Sequence, residues 1–534
     1  MTHCFISRPR SRKPLSFLVL WILAVGAPGS TWAKGEAAAA ATAPHEAGTK
    51  TKTKTKTKTK IRTEAEAKTP TSIETKAQWF DFMFHGSKVG FVFSLDEPST
   101  IEGKDVVHAH RWSVITVRRQ DDVIRMESTT DTWFMPDGTP LRFKNRRREG
   151  GETRTTEGYR DGEMFVLRRD IGGSVSEERV KLEPSTYLAS SLEVLFSQDL
   201  KLKKSLRGRA ILEDESQLVD FTMSVDAKEE RDGRSVFVVS GDLAGLTSKS
   251  WVEPTGETLE VELPALGARF VRTTKEKAMQ VEKPVDIFSS AMFAIPEPIP
   301  RGSELDALVV RLRSKNGAMP TYIADHRQKA RRISKDEVEI EIRVDAPPLR
   351  AVRLPIRGAV AKQFLKETPY ESLKDERLVA AKDKALNGTD DAWTAARRIN
   401  SFVYGHIRNK SLARAFASAV EAYESREGDC TEHAVLFSAL AKIAGIPTRL
   451  ATGLVYVGGE ENLFGYHEWV EVWIDQRWIA MDPTFGQDLA DPTHIKFAEG
   501  QSDSEGLRQA GTVAASLIGN LELSVVRTVP AKDR

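Results

Sequence analysis

From residue 78 to residue 294, apolar and polar residues alternate in short runs punctuated by Gly, Asp and Pro. Lys88-Val89-Gly90-Phe91-Val92-Phe93-Ser94 is one such run. Another is Arg234-Ser235-Val236-Phe237-Val238-Val239-Ser240, which stops at Gly241-Asp242. Residues 130–134 stop at Pro136-Asp137-Gly138 in the same way. A period of two with turn residues at the breaks predicts antiparallel strands joined as hairpins. The Pro-rich stretch Ile295-Pro296-Glu297-Pro298-Ile299-Pro300 ends this region. Residues 308–312 and Val338-Glu339-Ile340-Glu341-Ile342-Arg343-Val344 then predict two further strands, closed off by Ala346-Pro347-Pro348.

After Pro369 the period lengthens. Trp393, Ala396, Ile399, Val403 and Ile407 fall on one face of a helix, and so do Val435, Leu436, Ala439, Leu440 and Ile443. Gly445 and Pro447 stop the second helix. Beyond it, residues 466–474 and 477–484 alternate on either side of Asp475-Gln476. If those two residues are a hairpin loop, Ile474 pairs with Arg477, Trp473 with Trp478, Val472 with Ile479 and Val470 with Met481. His467 and Asp482 then lie diagonally adjacent on one face, within hydrogen-bonding reach. A one-residue slip would put them on opposite faces.

The ends of the pattern are different in kind. Residues 15–25 are apolar behind Arg8, Arg10, Arg12 and Lys13, and Thr31-Trp32-Ala33 offers small residues for cleavage. A run this short, against the roughly 20 residues of a membrane span, predicts a signal peptide over 1–33 and an exported protein, periplasmic or extracellular. An uncleaved anchor is the alternative. Residues 34–75, with Thr-Lys repeated from 49 to 60, lack the apolar content to fold and read as a disordered basic linker. Such a linker could hold the protein near an anionic cell envelope, or simply act as a spacer. The expected organisation is therefore a β-rich accessory domain over 76–295, a small β region over 301–370 and a third domain over 371–530.

Composition narrows the function classes. Of 534 residues 40% are hydrophobic and 29% charged, which is globular. A net charge of +2 argues against a nucleic-acid binder. Of the two cysteines, Cys4 precedes the apolar leader run, so the mature chain keeps Cys430 alone. An unpaired thiol in an exported protein points to reactivity.

Cys430 sits in Arg426-Glu427-Gly428-Asp429-Cys430-Thr431-Glu432-His433, at the expected start of the second helix, where unpaired N–H groups and the helix dipole favour a thiolate. Gly428 permits a close approach of the chain there. A backbone N–H at the helix start is a natural oxyanion donor. Cys430, His433 and His467 could also be drawn as a zinc site, but a second ligand pair is lacking. No twelve-residue calcium loop and no Gly-rich phosphate cradle is present, so no metal and no cofactor is expected.

Cys430 with its Arg-x-Gly-x-Cys lead-in, the run Ala444-Gly445-Ile446-Pro447-Thr448-Arg449, His467-Glu468-Trp469-Val470-Glu471-Val472 and Asp482-Pro483-Thr484 together resemble the transglutaminase-like superfamily. The resemblance spans about residues 375–500. It implies an α+β chain whose C-terminal domain is papain-like, preceded by the antiparallel β-rich region. It further implies a catalytic triad of Cys430, His467 and Asp482. The reaction it implies is acyl transfer from a protein or peptide amide through a thioester on Cys430; water and an amine can both take that acyl group, and hydrolysis, as in a cysteine protease or amidase, is the first expectation. Cross-linking of Gln to Lys is the alternative enzyme, and a non-catalytic interaction module is the alternative class. His494 matches a common tail element of these domains and reads as structural.

Overall fold

A computed structural model describes residues 76–531 apart from 120–121, 150–151, 172, 198–199, 244–245, 281–283, 287–291, 316–318, 320–321, 411–416, 459–461 and 518. The expected leader (1–33) and linker (34–75) lie outside the described residues.

The alternating region forms one sheet of sixteen strands among the described residues. It is a meander, antiparallel but for the short parallel strands Thr186–Leu188 and Val285–Asp286, and its first strand, Lys76–Phe84, pairs with the late strand Ala268–Thr273. Phe82 stands opposite Phe270 there, their rings stacked at 4.6 Å. That pairing brings the two ends of the meander together and lets the sheet curl. The strongly alternating burial of its strands shows why: one face of each is apolar and turns inward. The inner face packs around a short helix, Ala189–Ser197, through Ala189 and Leu192. This helix interrupts the region where the sequence predicts strands only. Its nine residues are too few to display a helical period against the flanking alternation.

Two smaller sheets follow. Leu305–Ser314, Glu337–Arg343 and Gln328–Arg332 form one, and the C-terminal strand Leu521–Pro530 joins it against Leu305–Ser314. The other holds Thr448–Gly458, Leu463–Ile474, Arg477–Met481 and Ile495–Gly500, with Met292–Ala294 added to the edge of Leu463–Ile474. Against this sheet lies the helix Cys430–Ile443, in which every residue from Cys430 to Lys442 is buried. Ala434, Val435, Leu436 and Leu440 share a core with Val470, Val472, Ile479 and Met481 of the sheet and with Ile399 and Val403 of the helix Ala392–His406. A helix buried on all sides is a rigid base for whatever its first turn carries. Even its one cation is neutralised, since Lys442 and Glu371 form an ion pair in which neither side chain is exposed.

The curled sheet touches the C-terminal half directly. Arg154 donates to the Tyr370 hydroxyl at 3.2 Å, and the turn Pro264–Leu266 packs on the helix Ser504–Leu517. Among the described residues no helix is long and apolar enough to cross a membrane.

Candidate active site

The hairpin register holds as expected, with Ile474 opposite Arg477, Trp473 opposite Trp478, Val472 opposite Ile479 and Val470 opposite Met481. Its loop lacks the usual glycine, and Asp475 and Gln476 both take left-handed φ values, 49° and 62°. That is the signature of a type I′ turn, the two-residue loop whose twist matches the strands. The register delivers the predicted contact: His467 Nε2 lies 2.8 Å from Asp482 Oδ2.

Asp482 is held from several sides. Its Oδ1 accepts the N–H groups of Thr484 (2.7 Å) and Phe485 (3.1 Å) in the Asp482-Pro483-Thr484 turn. Its Oδ2 is shared between His467 and His494, the latter at 3.0 Å. Burial alone would raise this carboxyl. The two imidazoles win, and hold it far below the ordinary carboxylate range.

His494 is the residue that sequence reasoning undervalued. Its Nδ1 donates to the Asp491 carbonyl at 3.1 Å, and its Nε2 faces the ionised Asp482, so both nitrogens carry protons. Burial works against that charge, but Asp482 and Asp491 prevail and push the pKa up to about 9. His467, Asp482 and His494 offer atoms within 4.8 Å of one another, close enough to be drawn around a metal ion. In this structure both imidazoles turn Nε2 to the one oxygen, Asp482 Oδ2, at 2.8 and 3.0 Å. His494 stands only twelve residues beyond Asp482. The signal available in the sequence was the Asp491-Pro492-Thr493-His494 turn, in which Asp491 Oδ1 accepts the Thr493 N–H at 2.8 Å and folds the chain back.

Cys430 opens its helix as expected, with Asp429 as the N-cap. A reciprocal capping box joins Asp429 to Glu432, whose Oε2 accepts the Asp429 N–H at 2.9 Å. Gly428 has a φ of +155°, and a Cβ there would lie 2.3 Å from Glu432 Cβ. The Gly-Asp-Cys spelling is thus set by the need to bring Glu432 against the turn. The thiol is 3% exposed and packs with Tyr466 and with Ala514 of the helix Ser504–Leu517.

The surroundings of Cys430 are acidic and buried. Burial, with Asp429 adding to it, pushes Glu432 up to about 8 against the pull of two backbone N–H groups. Glu468 is likewise pushed to about 8, chiefly by burial. Burial pushes His433 down to about 4, and its Nδ1 donates to the Asp429 carbonyl at 2.6 Å. His433 is therefore a neutral helix-side neighbour. The ring of Phe485 stacks on His467, centroids 4.9 Å apart, and fixes the imidazole plane from the side.

Residues 380–483 match the model of the transglutaminase-like superfamily. The C-terminal domain is transglutaminase-like. No curated protein matches the chain. Among solved structures, the chain is similar to a provisionally assigned cysteine protease of Cytophaga hutchinsonii, at 16% identity and a TM-score of 0.29, over 43% of this chain and 92% of that one. It is similar to the periplasmic domain of TgpA from Pseudomonas aeruginosa, at 13% identity and a TM-score of 0.26, over 38% and 93%. A third is a β-barrel-like protein of unknown function from Brucella abortus, at 10% identity and a TM-score of 0.29, over 38% and 96%.

Proposed function

We propose that the transglutaminase-like domain is a papain-like thiol enzyme that cleaves peptide or side-chain amide bonds. The observation that carries this reading is the His467–Asp482 contact of 2.8 Å, on a hairpin packed against the helix that Cys430 begins. His467 spends Nε2 on Asp482, which leaves Nδ1 as the nitrogen that exchanges a proton with Cys430. The Cys430 thiolate attacks the amide carbon, and the C–N bond breaks as the His467 imidazolium protonates the departing amine. Water then gives a proton to His467 and its oxygen to the thioester, releasing a carboxylic acid and restoring the thiol. Asp482 stabilises the imidazolium and fixes its tautomer throughout. Export of the chain, with substrates in the cell envelope, belongs to the same proposal.

The test uses a Cys4→Ser chain, so that Cys430 is the single thiol. Iodoacetamide labelling, followed by intact mass, is expected to be rapid at pH 6 and to slow in a His467→Ala variant. Labelling that starts only near the titration of an ordinary thiol, about pH 8.5, and ignores His467, would refute the poised nucleophile. A labelled primary amine offered with a protein substrate separates the outcomes of turnover. A new carboxylate without incorporation supports hydrolysis, and incorporation supports cross-linking.

A further inference from the structure

Away from Cys430, the curled sheet forms a half-open cavity of about 300 Å³ beside the helix Ala189–Ser197. Close-packed interiors leave few voids larger than a water, whereas ligand sites begin at roughly this size. The walls are mostly hydrocarbon: Phe80, Phe82, Phe221, Phe270, Leu192 and Phe196 all face it. A water needs about 10–15 Å³ of such space, so the cavity takes a ligand of about twenty heavy atoms.

A polar neighbourhood belongs to the same cavity. Arg111 is engaged with Asp96 Oδ1 at 2.7 Å and with the Ser190 carbonyl at 3.4 Å. Glu213 Oε1 accepts the Ser190 N–H at 2.9 Å and the Thr132 hydroxyl at 3.3 Å. Three atoms are left over. Glu213 Oε2, Ser94 Oγ and Ser190 Oγ, on residues 1%, 3% and 5% exposed, have no hydrogen-bond partner among the described residues. Ser94 stands opposite Arg111 in the strand register, and Arg111 and Glu213 both bond to Ser190, so the three residues follow one another along the polar side of the cavity. An unmet buried polar atom is costly, and a bound head group on this side would meet such atoms.

Charge selects that head group. Four acidic side chains line the cavity, Glu193, Glu213, Asp214 and Asp242, against the one guanidinium of Arg111. A carboxylate would be repelled. A hydroxyl can donate to one orphan atom and accept from another. Burial pushes Glu213 up to about 7, which leaves it able to play either part near neutrality. The geometry points to the curled sheet as a binding site for a single-chain aliphatic alcohol, its chain in the phenylalanine-lined space and its hydroxyl on Ser94 and Glu213.

The test is made on the full chain, with N-phenyl-1-naphthylamine as fluorescent reporter and 1-dodecanol as competitor. Saturable reporter binding with one-to-one displacement by dodecanol is the expected result. Ser250→Trp places a large ring in the cavity and should weaken both at least tenfold, with the circular dichroism spectrum unchanged. Ser94→Ala should cost dodecanol roughly fivefold, the worth of one hydrogen bond, and leave the reporter unaffected. Laurate should bind more weakly than dodecanol. Absence of saturable reporter binding, or full binding by a folded Ser250→Trp chain, overturns the site. If Ser250→Trp does not fold, Ser94→Ala decides alone: unchanged dodecanol affinity refutes the proposal. Laurate as tight as dodecanol overturns the head-group assignment.

Discussion

His494→Gln removes a buried cation that the fold has gone to some length to keep. The pKa of His494 is lifted from 6.5 to about 9 in the folded chain. At about 1.4 kcal/mol per unit, that difference is on the order of 3 kcal/mol of folding free energy. The sign follows from proton counts. Below pH 6.5 the imidazole is charged in both states and the contribution is fully present. Between 6.5 and 9 the folded state keeps a proton that the unfolded state has lost, so stability falls by about 1.4 kcal/mol per pH unit. Above 9 nothing of it remains. The difference between wild type and His494→Gln should therefore be largest at pH 6 and shrink through pH 9. The assay is a urea titration of each chain at each pH, read by tryptophan fluorescence, since Trp469 is fully buried with its ring 5.1 Å from that of His494. A difference that stays flat from pH 6 to 9.5, or grows, would refute the assignment of His494 as an imidazolium.

Three further outcomes are expected. Asp482→Asn should lower turnover of any amide substrate by about three to four powers of ten, as loss of the orienting carboxylate does elsewhere; near-normal rates would remove Asp482 from the mechanism. Glu371→Gln should cost about 3–5 kcal/mol in a urea titration, because it leaves Lys442 charged and buried alone; a loss under 1 kcal/mol would show the pair to be dispensable. Gln476→Gly should stabilise the hairpin by about 1 kcal/mol, since the residue already adopts a φ of 62°; a fall in the melting temperature would contradict the turn type.

Period-two patterning carried most of what the sequence could reveal. The hairpin register followed from which residues had to share a face, and a slip would have buried charge and exposed Val470 and Val472. The contact between His467 and Asp482 came with it. Cys430 was legible because it is the single cysteine beyond the leader run and stands directly before an apolar helical stretch. His494 was not, because it reaches Asp482 from a loop whose path depends on Asp491 capping its own turn. The helix Ala189–Ser197 was hidden for a similar reason: it is stable only because the curled sheet surrounds it, and tertiary burial leaves no trace in a nine-residue window. The packing of Ala514 on Cys430 joins residues eighty-four positions apart, with no periodicity linking them.

The acidity at the start of the Cys430 helix needs a physical explanation, since ionised carboxyls close to the proposed nucleophile should oppose a thiolate. Burial supplies it. With Glu432 and Glu468 lifted to about 8, both are largely protonated at neutral pH, and they stand around the Asp429 cap as neutral groups. Asp429 spends its charge at the helix start, accepting the Thr431 N–H and hydroxyl, each at 2.8 Å. On the other side, His494 cancels much of the Asp482 charge, so that Asp482 can orient His467 without adding a second uncompensated anion. The site thus holds its acids buried and its fixed charges paired, and His433 neutral. Raising the pH through 8 would charge Glu432 and Glu468 around the Asp429 cap, at the start of the helix that Cys430 opens. Any activity should therefore fall on the alkaline side well before an ordinary thiol enzyme's would, and Glu468→Gln should extend the active range upward. An activity that climbs steadily to pH 10 in the unaltered protein would show that these carboxyls do not govern the nucleophile.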